Sequence, residues 1–302
     1  MTEQRNEANI PDIPGPVEHP ARPGLRLPAG SCDTHAHIFG PAQDYPYSPT
    51  REYTPPDASL QRYAGLLLHL GFERAVLVQP SVYGTDNRRL LDALRDVAHD
   101  SLGIRWRGIA VTSTAVADDT LQAWHALGVR GLRLNLVFQG AEVDFSQARE
   151  LASRIEPLGW HLQFLIDISS FGDFARHLSE LPVAVVIDHM GHFDARLGTG
   201  HPAFRDLIAL LKEGRCWVKL SGPNRTSALD RVPFDDVQPI ARELLAAAPE
   251  RMVFGTDWPH VRLRTSMPDD GALVDELGRW TNGDAVLLKQ VLVDNPAELY
   301  GF

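Results

Sequence analysis

Cysteine is scarce in this sequence of 302 residues, and long apolar runs are missing. Cys32 and Cys216 form neither a Cys-x-x-Cys pair nor a zinc-finger spacing, so we predict reduced thiols and a cytoplasmic setting. No segment is long and apolar enough to span a bilayer, and the first residues lack the apolar core of a signal peptide. We therefore expect no association with a membrane.

An excess of positive charge is also missing. The formal net charge is −10 at pH 7, which disfavours nucleic acids and anionic membranes as partners. Hydrophobic residues make up 44% of the chain, which is enough for a large core and argues against disorder over most of its length. The composition therefore favours a small-molecule ligand, which local arginines could bind if it is anionic.

Proline is concentrated at the N-terminus, where residues 1–30 contain six prolines among interspersed charges. This composition predicts an extended N-terminal segment rather than a folded unit. We expect it to pack on the body of the protein or on a second subunit, so a homo-oligomer is compatible with the sequence. Residues 31–302 are predicted to form a single catalytic domain.

From Cys32 onward, short apolar runs alternate with amphipathic segments. The predicted strands cover residues 32–38, 74–79, 105–112, 129–135, 161–167, 183–189, 216–221 and 252–257. Between them, helix starts are predicted at residues 54–57 and at Asn295-Pro296, and one helix is predicted over residues 87–99 with Asp86 as its cap. Helix ends are predicted at Gly71, Gly128 and Gly159. Eight strands that are each followed by a helix predict a parallel (β/α)8 TIM barrel. A doubly wound open sheet is the alternative, but no Gly-x-Gly-x-x-Gly motif follows the first strand.

The segment Asp33-Thr34-His35-Ala36-His37 places two histidines on one strand. Alternate strand residues share a face, so His35 and His37 point the same way. In a TIM barrel, the active site lies at the carboxyl ends of the strands, and strand eight lies beside strand one. Asp257 is therefore expected next to the two histidines.

Other polar residues are also expected at this rim. Arg133 could pair with a neighbouring carboxylate, but its place beside Asn135 favours an anionic ligand. Asp188 could cap the next element, and His189 is the better candidate to face inward. The remaining candidates at the strand ends are Ser81 and Arg225.

Together these motifs resemble the amidohydrolase superfamily, in particular its lactonase branch typified by 2-pyrone-4,6-dicarboxylate lactonase. The resemblance covers about residues 32–302. It is carried by the segments Asp33-Thr34-His35-Ala36-His37, Gln79-Pro80-Ser81, Arg133-Leu134-Asn135, Asp188-His189-Met190-Gly191, Lys219-Leu220-Ser221 and Gly255-Thr256-Asp257-Trp258-Pro259-His260.

The resemblance implies hydrolysis, or reversible closure, of a lactone that bears a carboxylate. Asp257 would activate water, while three imidazoles polarise the lactone carbonyl, those of His35, His37 and His189. The implied substrate-binding residues are Arg133, Arg225, Ser81, Tyr53, Tyr83, Asn135 and His260.

A bound metal can be judged from the residue types. A binuclear amidohydrolase site needs a Lys or an acid on strand four and a His at the functional end of strand five, and this sequence provides neither. A single divalent ion such as zinc, held by His35, His37 and Asp257, stays open and would make the protein a zinc-dependent hydrolase or decarboxylase. Because the lactonase branch works without metal, we expect no required cofactor.

One departure from the branch affects the expected substrate. The dicarboxylate lactonases carry a second Arg where this chain has Gln139, so a lactone with one acid group is as well supported as one with two. Two other functional classes stay open. Lys219 could form a Schiff base in an aldolase or lyase, or the barrel could be a binding protein without turnover.

Overall fold

The fold is described by a computed structural model for residues 10–97, 102–136, 145–263 and 265–302. Eight parallel strands follow one another in chain order around a barrel. They are β1 Cys32–Ala36, β2 Arg74–Val78, β3 Arg105–Ala110, β4 Val129–Asn135, β5 His161–Leu165, β6 Val185–Ile187, β7 Cys216–Leu220 and β8 Met252–Phe254. The predicted barrel is confirmed, and the open sheet is excluded by this strand order.

The barrel closes between its first and last strands. Ala36 and Trp258 form an isolated parallel bridge just beyond β8. The His37 amide donates to the Trp258 carbonyl at 2.8 Å, and the Asp257 amide donates to the His35 carbonyl at 2.8 Å. These bonds fix the loop after β8 directly against β1.

Helices cover the outside of the barrel, with apolar faces turned to the strands. They are α1 Leu60–Leu70, α2 Arg88–Val97, α3 Asp118–Leu127, α4 Phe145–Ile155, α5 Phe174–Ser179, α6 Pro202–Lys212, α7 Pro223–Thr226, α8 Gln238–Ala247, α9 Asp270–Trp280, α10 Ala285–Lys289 and α11 Asn295–Tyr300. Short 3-10 turns, among them Ser81–Tyr83 and His189–His192, follow some strands. No helix among the described residues is long and apolar enough to cross a membrane.

Most of the predicted helix boundaries agree with the structure. Gly71 and Gly128 end α1 and α3 in the left-handed conformation, and Gly159 ends the turn that follows α4. The start expected at residues 54–57 is wrong, because α1 begins at Leu60 with Ser59 as its N-cap. Residue 54 forms a bridge with the N-terminal segment and Ala58 bridges to Phe39, so the backbone there is extended. The predicted helix end at residue 99 lies outside the described residues.

The described part of the N-terminal segment packs against α1 and α9. The Ala21 amide donates to Asp269 at 2.8 Å, and the Leu25 amide donates to Asp275 at 2.8 Å. From α1, His69 Nε2 lies 3.0 Å from the Pro20 carbonyl oxygen. Residues 10–30 are therefore held by packing on the body of the barrel.

Candidate active site

Three imidazoles surround one carboxylate where β1, β6 and β8 end. The ring centroids of His35 and His37 lie 5.0 Å apart, and those of His35 and His189 lie 4.6 Å apart. Asp257 Oδ1 lies 3.8 Å from His35 Nε2 and 3.6 Å from His189 Nε2. All four side chains are buried. The structure thus brings together the four residues that the sequence proposed as catalytic.

The close approach of β8 to β1 depends on Gly255. A Cβ added at this position would lie 2.7 Å from His35 Cβ and 2.9 Å from His35 N, closer than packed atoms allow. Two residues later, Asp257 takes a positive φ of 66°, which turns its side chain in toward the imidazoles. Thr256 holds the other side of β1, because its Oγ1 donates to Asp33 Oδ2 at 2.6 Å.

Hydrogen bonding fixes the tautomer of His37. Its Nδ1 lies 2.8 Å from the Val78 carbonyl oxygen, which can only accept, so the proton of the neutral ring is on Nδ1. Burial lowers the pKa of His37 well below its usual value, and the positive charge of Arg133 lowers it further. The ring is therefore neutral, and its Nε2 is an acceptor.

A polar network fills the barrel beneath the imidazoles. Asp188 Oδ2 accepts from Arg133 Nε at 3.0 Å and from Gln163 Nε2 at 3.1 Å. Lys219 Nζ donates to the Thr34 carbonyl oxygen and to Gln163 Oε1, each at 2.8 Å. These residues come from different strands and contact one another, so they lie inside the barrel.

Asp188 differs from the expectation that it caps the next element. Its side chain makes no cap hydrogen bond and lies fully buried beneath His35, with Oδ1 3.2 Å from His35 Nδ1. Arg133 pairs with this carboxylate, which was the alternative considered for it. Because β6 ends at residue 187, the backbone leaves the sheet at Asp188, and both Asp188 and His189 face inward.

Both carboxylates at the centre are ionised. Burial raises the pKa of Asp257, but the positive charge of Arg225 outweighs burial and holds that pKa below its usual value. Burial likewise raises the pKa of Asp188, yet the positive charges of Lys219 and Arg133 hold it well below the ordinary range. Burial lowers the pKa of Lys219 to about 8, which leaves it a cation at pH 7.

Buried cations and carboxylates are paired around the site. Three cations, Arg133, Lys219 and Arg225, lie at the centre with the two carboxylates Asp188 and Asp257. Arg133 and Arg225 line the pocket itself, so its wall favours an anionic ligand or a negatively charged transition state.

A pocket opens directly above the carboxylate. Arg225 spans its wall, donating from Nε to Asp257 Oδ2 at 2.7 Å and from Nη2 to the Val261 carbonyl oxygen at 2.9 Å. The side chains that line the pocket are His37, Tyr53, Ser81, Arg133, Asn135, Leu165, His189, His192, Arg225, Asp257, Val261 and Arg262. Five of the predicted substrate-binding residues are in this set, namely Tyr53, Ser81, Arg133, Asn135 and Arg225.

Two predicted substrate-binding residues do not line the pocket. The Tyr83 hydroxyl accepts a hydrogen bond from the Gly40 amide at 2.8 Å. His260 Nε2 lies 2.9 Å from Asp270 Oδ1, and both side chains are fully buried. His260 therefore ties the loop after β8 to the first turn of α9. Gln139, which bears on the number of acid groups, lies outside the described residues.

The sequence did not single out His192 or Arg262. His192 is nearly buried, its Nε2 has no hydrogen-bond partner, and burial lowers its pKa to about 3. Its ring centroid lies 5.3 Å from that of His189, so the His189-x-x-His192 spacing was an available signal. Arg262 forms an ion pair with Glu52 at the rim.

The residues fit a single metal ion better than a pair. Within the described residues, two overlapping groups have donor atoms close enough to share an ion: His35, His37 and Asp257, and His35, Asp188 and His189. The buried atoms His35 Nε2 and Asp257 Oδ1 have no hydrogen-bond partner, as expected of donors that meet a ligand. At the functional end, β4 carries Arg133 and β5 carries Gln163, so a bridged pair of ions lacks its ligands.

Comparison with known proteins is in keeping with this geometry. An amidohydrolase family model matches residues 32–302. The chain is 38% identical over 293 residues to a 2-pyrone-4,6-dicarboxylate hydrolase of Comamonas testosteroni, covering 93% of each chain. It is 35% identical over 305 residues to a 4-sulfomuconolactone hydrolase of Hydrogenophaga intermedia, covering 100% of this chain and 98% of the relative.

Solved structures agree with these matches. An apo crystal structure from Agrobacterium tumefaciens superposes with a TM-score of 0.82 and 26% identity, covering 93% of this chain and 98% of that one. The family model spans the whole barrel, and a relative above 30% identity covers nearly the full length. The chain belongs to the amidohydrolase family.

Proposed function

We propose that this protein hydrolyses a lactone that carries an acid group. The observation that carries the proposal is the buried, ionised Asp257, whose Oδ1 lies without a hydrogen-bond partner among three imidazoles and beside Arg225. A base, neutral imidazoles and an anion-binding cation in one pocket are what lactone hydrolysis requires. The relatives support this choice, since they are named as hydrolases of a pyrone dicarboxylate and of a sulfomuconolactone.

In the first step, water attacks the lactone carbonyl carbon. Asp257 Oδ1 and His37 Nε2 are both acceptors, so a water between them would donate a hydrogen to each and turn its lone pair to the substrate. As the new C–O bond forms, Asp257 takes one proton from this water. His37 was expected to polarise the carbonyl, but its tautomer makes it an acceptor that orients the water.

The carbonyl oxygen becomes an oxyanion, which donors at His35 and His189 would stabilise. When the tetrahedral intermediate collapses, the ring C–O bond breaks and the proton held by Asp257 passes to the leaving oxygen. The product is an open hydroxy acid or its keto form, and the carboxylate is ready for another cycle. Each step can run backwards, so closure of the ring is the same chemistry in reverse.

Binding of the acid group is assigned to the arginines. Arg225 and Arg133 line the pocket and can hold a carboxylate or sulfonate by charge-assisted hydrogen bonds. Tyr53, Ser81 and Asn135 are neutral and would orient the ring and its substituents. Such a ligand is a small anion.

The two buried free cysteines accord with a reducing, cytoplasmic location.

A mononuclear zinc-dependent hydrolase or decarboxylase is the second candidate, favoured by the cluster of His35, His37 and Asp257. A divalent ion held there would lower the pKa of a bound water and polarise a carbonyl. We favour hydrolysis without a required metal, because Asp188 and Asp257 are already paired with Lys219 and Arg225, which leaves neither carboxylate to offset the charge of a further cation. Full activity after exhaustive chelation, without stoichiometric metal by elemental analysis, supports this choice, whereas loss and rescue by zinc overturns it.

The decisive experiment is a panel of lactones that carry no, one or two acid groups, with a pH indicator to follow the acid released. We expect turnover only of the acid-bearing lactones. In Asp257→Asn, kcat should fall by about 10²- to 10⁴-fold, the usual contribution of a general base. Asp96→Asn on the exposed face of α2 is the matched control and should leave kcat unchanged. Failure to open any lactone would refute the function, and full activity of Asp257→Asn would refute the mechanism.

Schiff-base chemistry at Lys219 makes a separate prediction. The Lys219 ammonium is fully buried and donates to the Thr34 carbonyl oxygen and to Gln163, so we expect no covalent adduct. Borohydride treatment with candidate keto acids, followed by intact-mass measurement, tests this directly.

A further inference from the structure

Lys219 is a buried cation that the proposed mechanism does not use. Its ammonium has three hydrogens to donate. Two of them meet the Thr34 carbonyl oxygen and Gln163 Oε1, each at 2.8 Å. The third has two acceptors within reach, His35 Nδ1 at 3.3 Å and Asp188 Oδ1 at 3.6 Å.

The geometry favours His35 as the third acceptor. The contact between Lys219 Nζ and His35 Nδ1 has the distance and direction of a hydrogen bond. Asp188 Oδ1, which lies 3.2 Å from His35 Nδ1 and 3.6 Å from Lys219 Nζ, is the competing partner of both groups. Asp188 is already satisfied on its other oxygen by Arg133 and Gln163.

We propose that Lys219 is a positioning residue which donates to His35 Nδ1 and so keeps the proton of the neutral imidazole on Nε2. Asp188 and Gln163 hold the ammonium in place. His35 then presents an N–H group to the pocket, where its Nε2 faces the unpartnered Asp257 Oδ1 across 3.8 Å. A carbonyl oxygen that enters this gap would meet a donor.

This arrangement gives the two histidines of β1 opposite roles. The Val78 carbonyl forces the proton of His37 onto Nδ1, which leaves Nε2 as an acceptor for water. The ammonium of Lys219 keeps the proton of His35 on Nε2, which leaves its Nδ1 as the acceptor. A metal ligand needs an unprotonated nitrogen, so Lys219 also withholds His35 Nε2 from a metal ion.

The tautomer can be measured in the unmodified protein. In ¹⁵N-histidine-labelled protein, long-range proton–nitrogen spectra distinguish a protonated ring nitrogen from an unprotonated one, and His35→Asn and His37→Asn assign the signals. We expect a protonated Nε2 at His35 and a protonated Nδ1 at His37, which serves as the internal reference. A protonated Nδ1 at His35 overturns the proposal.

Removal of the ammonium supplies the second test. In Lys219→Met we expect the His35 proton to move to Nδ1, zinc to bind about tenfold or more tightly, and kcat to fall on the order of 100-fold with little change in KM. Lys212→Met, on the exposed face of α6, should change none of these. An unchanged tautomer in a folded Lys219→Met protein overturns the proposal.

The role of Lys219 in catalysis rests on the proposed lactone hydrolysis, but the tautomer does not. If no lactone is opened while His35 carries its proton on Nε2, the proposed function fails and the positioning by Lys219 stands. If lactones are opened and His35 carries its proton on Nδ1, the proposed function stands and the positioning by Lys219 fails.

Discussion

Acid should destabilise this protein through a histidine far from the pocket. His161 begins β5 at the opposite end of the barrel, is 2% exposed, and neither of its ring nitrogens has a hydrogen-bond partner. It packs over Gly131, where an added Cβ would come within 2.9 Å of its Nε2, and its ring centroid lies 5.3 Å from that of Tyr300. Burial, together with the positive charge of Lys219, lowers the pKa of His161 from 6.5 to about 3.

The sign and size of the effect follow from linkage. Because the folded pKa lies below the unfolded one, the unfolded chain binds more protons between about pH 3 and pH 6.5, so the free energy of unfolding falls as the pH drops through this window. For one such group, the loss between pH 8 and pH 5 is about 2 kcal/mol, from 1.5 pKa units at about 1.4 kcal/mol each.

His161→Leu removes the titrating ring and its two unpartnered nitrogens. We expect this variant to be at least as stable as the parent protein at pH 8, since no buried polar group is left unsatisfied there. Between pH 8 and pH 5 it should lose about 2 kcal/mol less than the parent protein.

Urea unfolding at the two pH values measures this double difference. His19→Leu is the matched control, because the His19 side chain is exposed to water in the N-terminal segment. Equal losses of free energy in the parent protein and in His161→Leu would refute the reasoning. That result would mean that the ring is hydrated or protonated in the folded state.

Two further predictions concern the geometry of the pocket. Gly255→Ala should lower kcat by at least tenfold, because the new Cβ would lie 2.7 Å from His35 Cβ and push β1 away from β8. Steady-state kinetics measures kcat, and near-ultraviolet circular dichroism checks that the variant is folded. A kcat equal to that of the parent protein would contradict this reasoning, because it would mean that β1 can move aside without loss of activity. Arg225→Met should raise KM for acid-bearing lactones by about 10- to 100-fold, since one charge-assisted hydrogen bond contributes about 1.5–3 kcal/mol. A neutral lactone of equal size should inhibit the variant and the parent protein with the same inhibition constant, and an equal rise in this constant and in KM would contradict the assignment of Arg225.

The sequence predicted the barrel because its strands are short segments, most of them rich in apolar residues, that alternate with amphipathic segments. Each is bounded by glycine or a helix signal, such as Gly128 before β4 and Gly159 before β5. The error at residues 54–57 has a tertiary cause. The Pro55-Pro56 pair suits a first helical turn, but bridges to the N-terminal segment and to Phe39 hold this backbone extended. Such contacts between distant segments leave no local pattern.

The loops after β6 and β8 were harder to predict than the strands. His189, Met190 and His192 all have positive φ, and so do Asp257 and Arg262. Residues other than glycine rarely adopt this backbone conformation, and no local sequence pattern predicts it. The directions in which the side chains of His192 and Arg262 point therefore could not be inferred from the sequence. The shared direction of His35 and His37 could, because side chains alternate with a period of two along a strand.

The His35-Ala36-His37 pair shows what a shared strand face does and does not determine. The alternation along β1 fixes that both rings point to one pocket, and the sequence is enough to establish that. The role of each ring depends on the atom behind its Nδ1, and those atoms come from other strands: the Val78 carbonyl of β2 behind His37 and the Lys219 ammonium of β7 behind His35. A carbonyl accepts and an ammonium donates, so the two imidazoles take opposite tautomers on one face. Two identical side chains can thereby supply the acceptor that orients a water and the donor that stabilises an oxyanion.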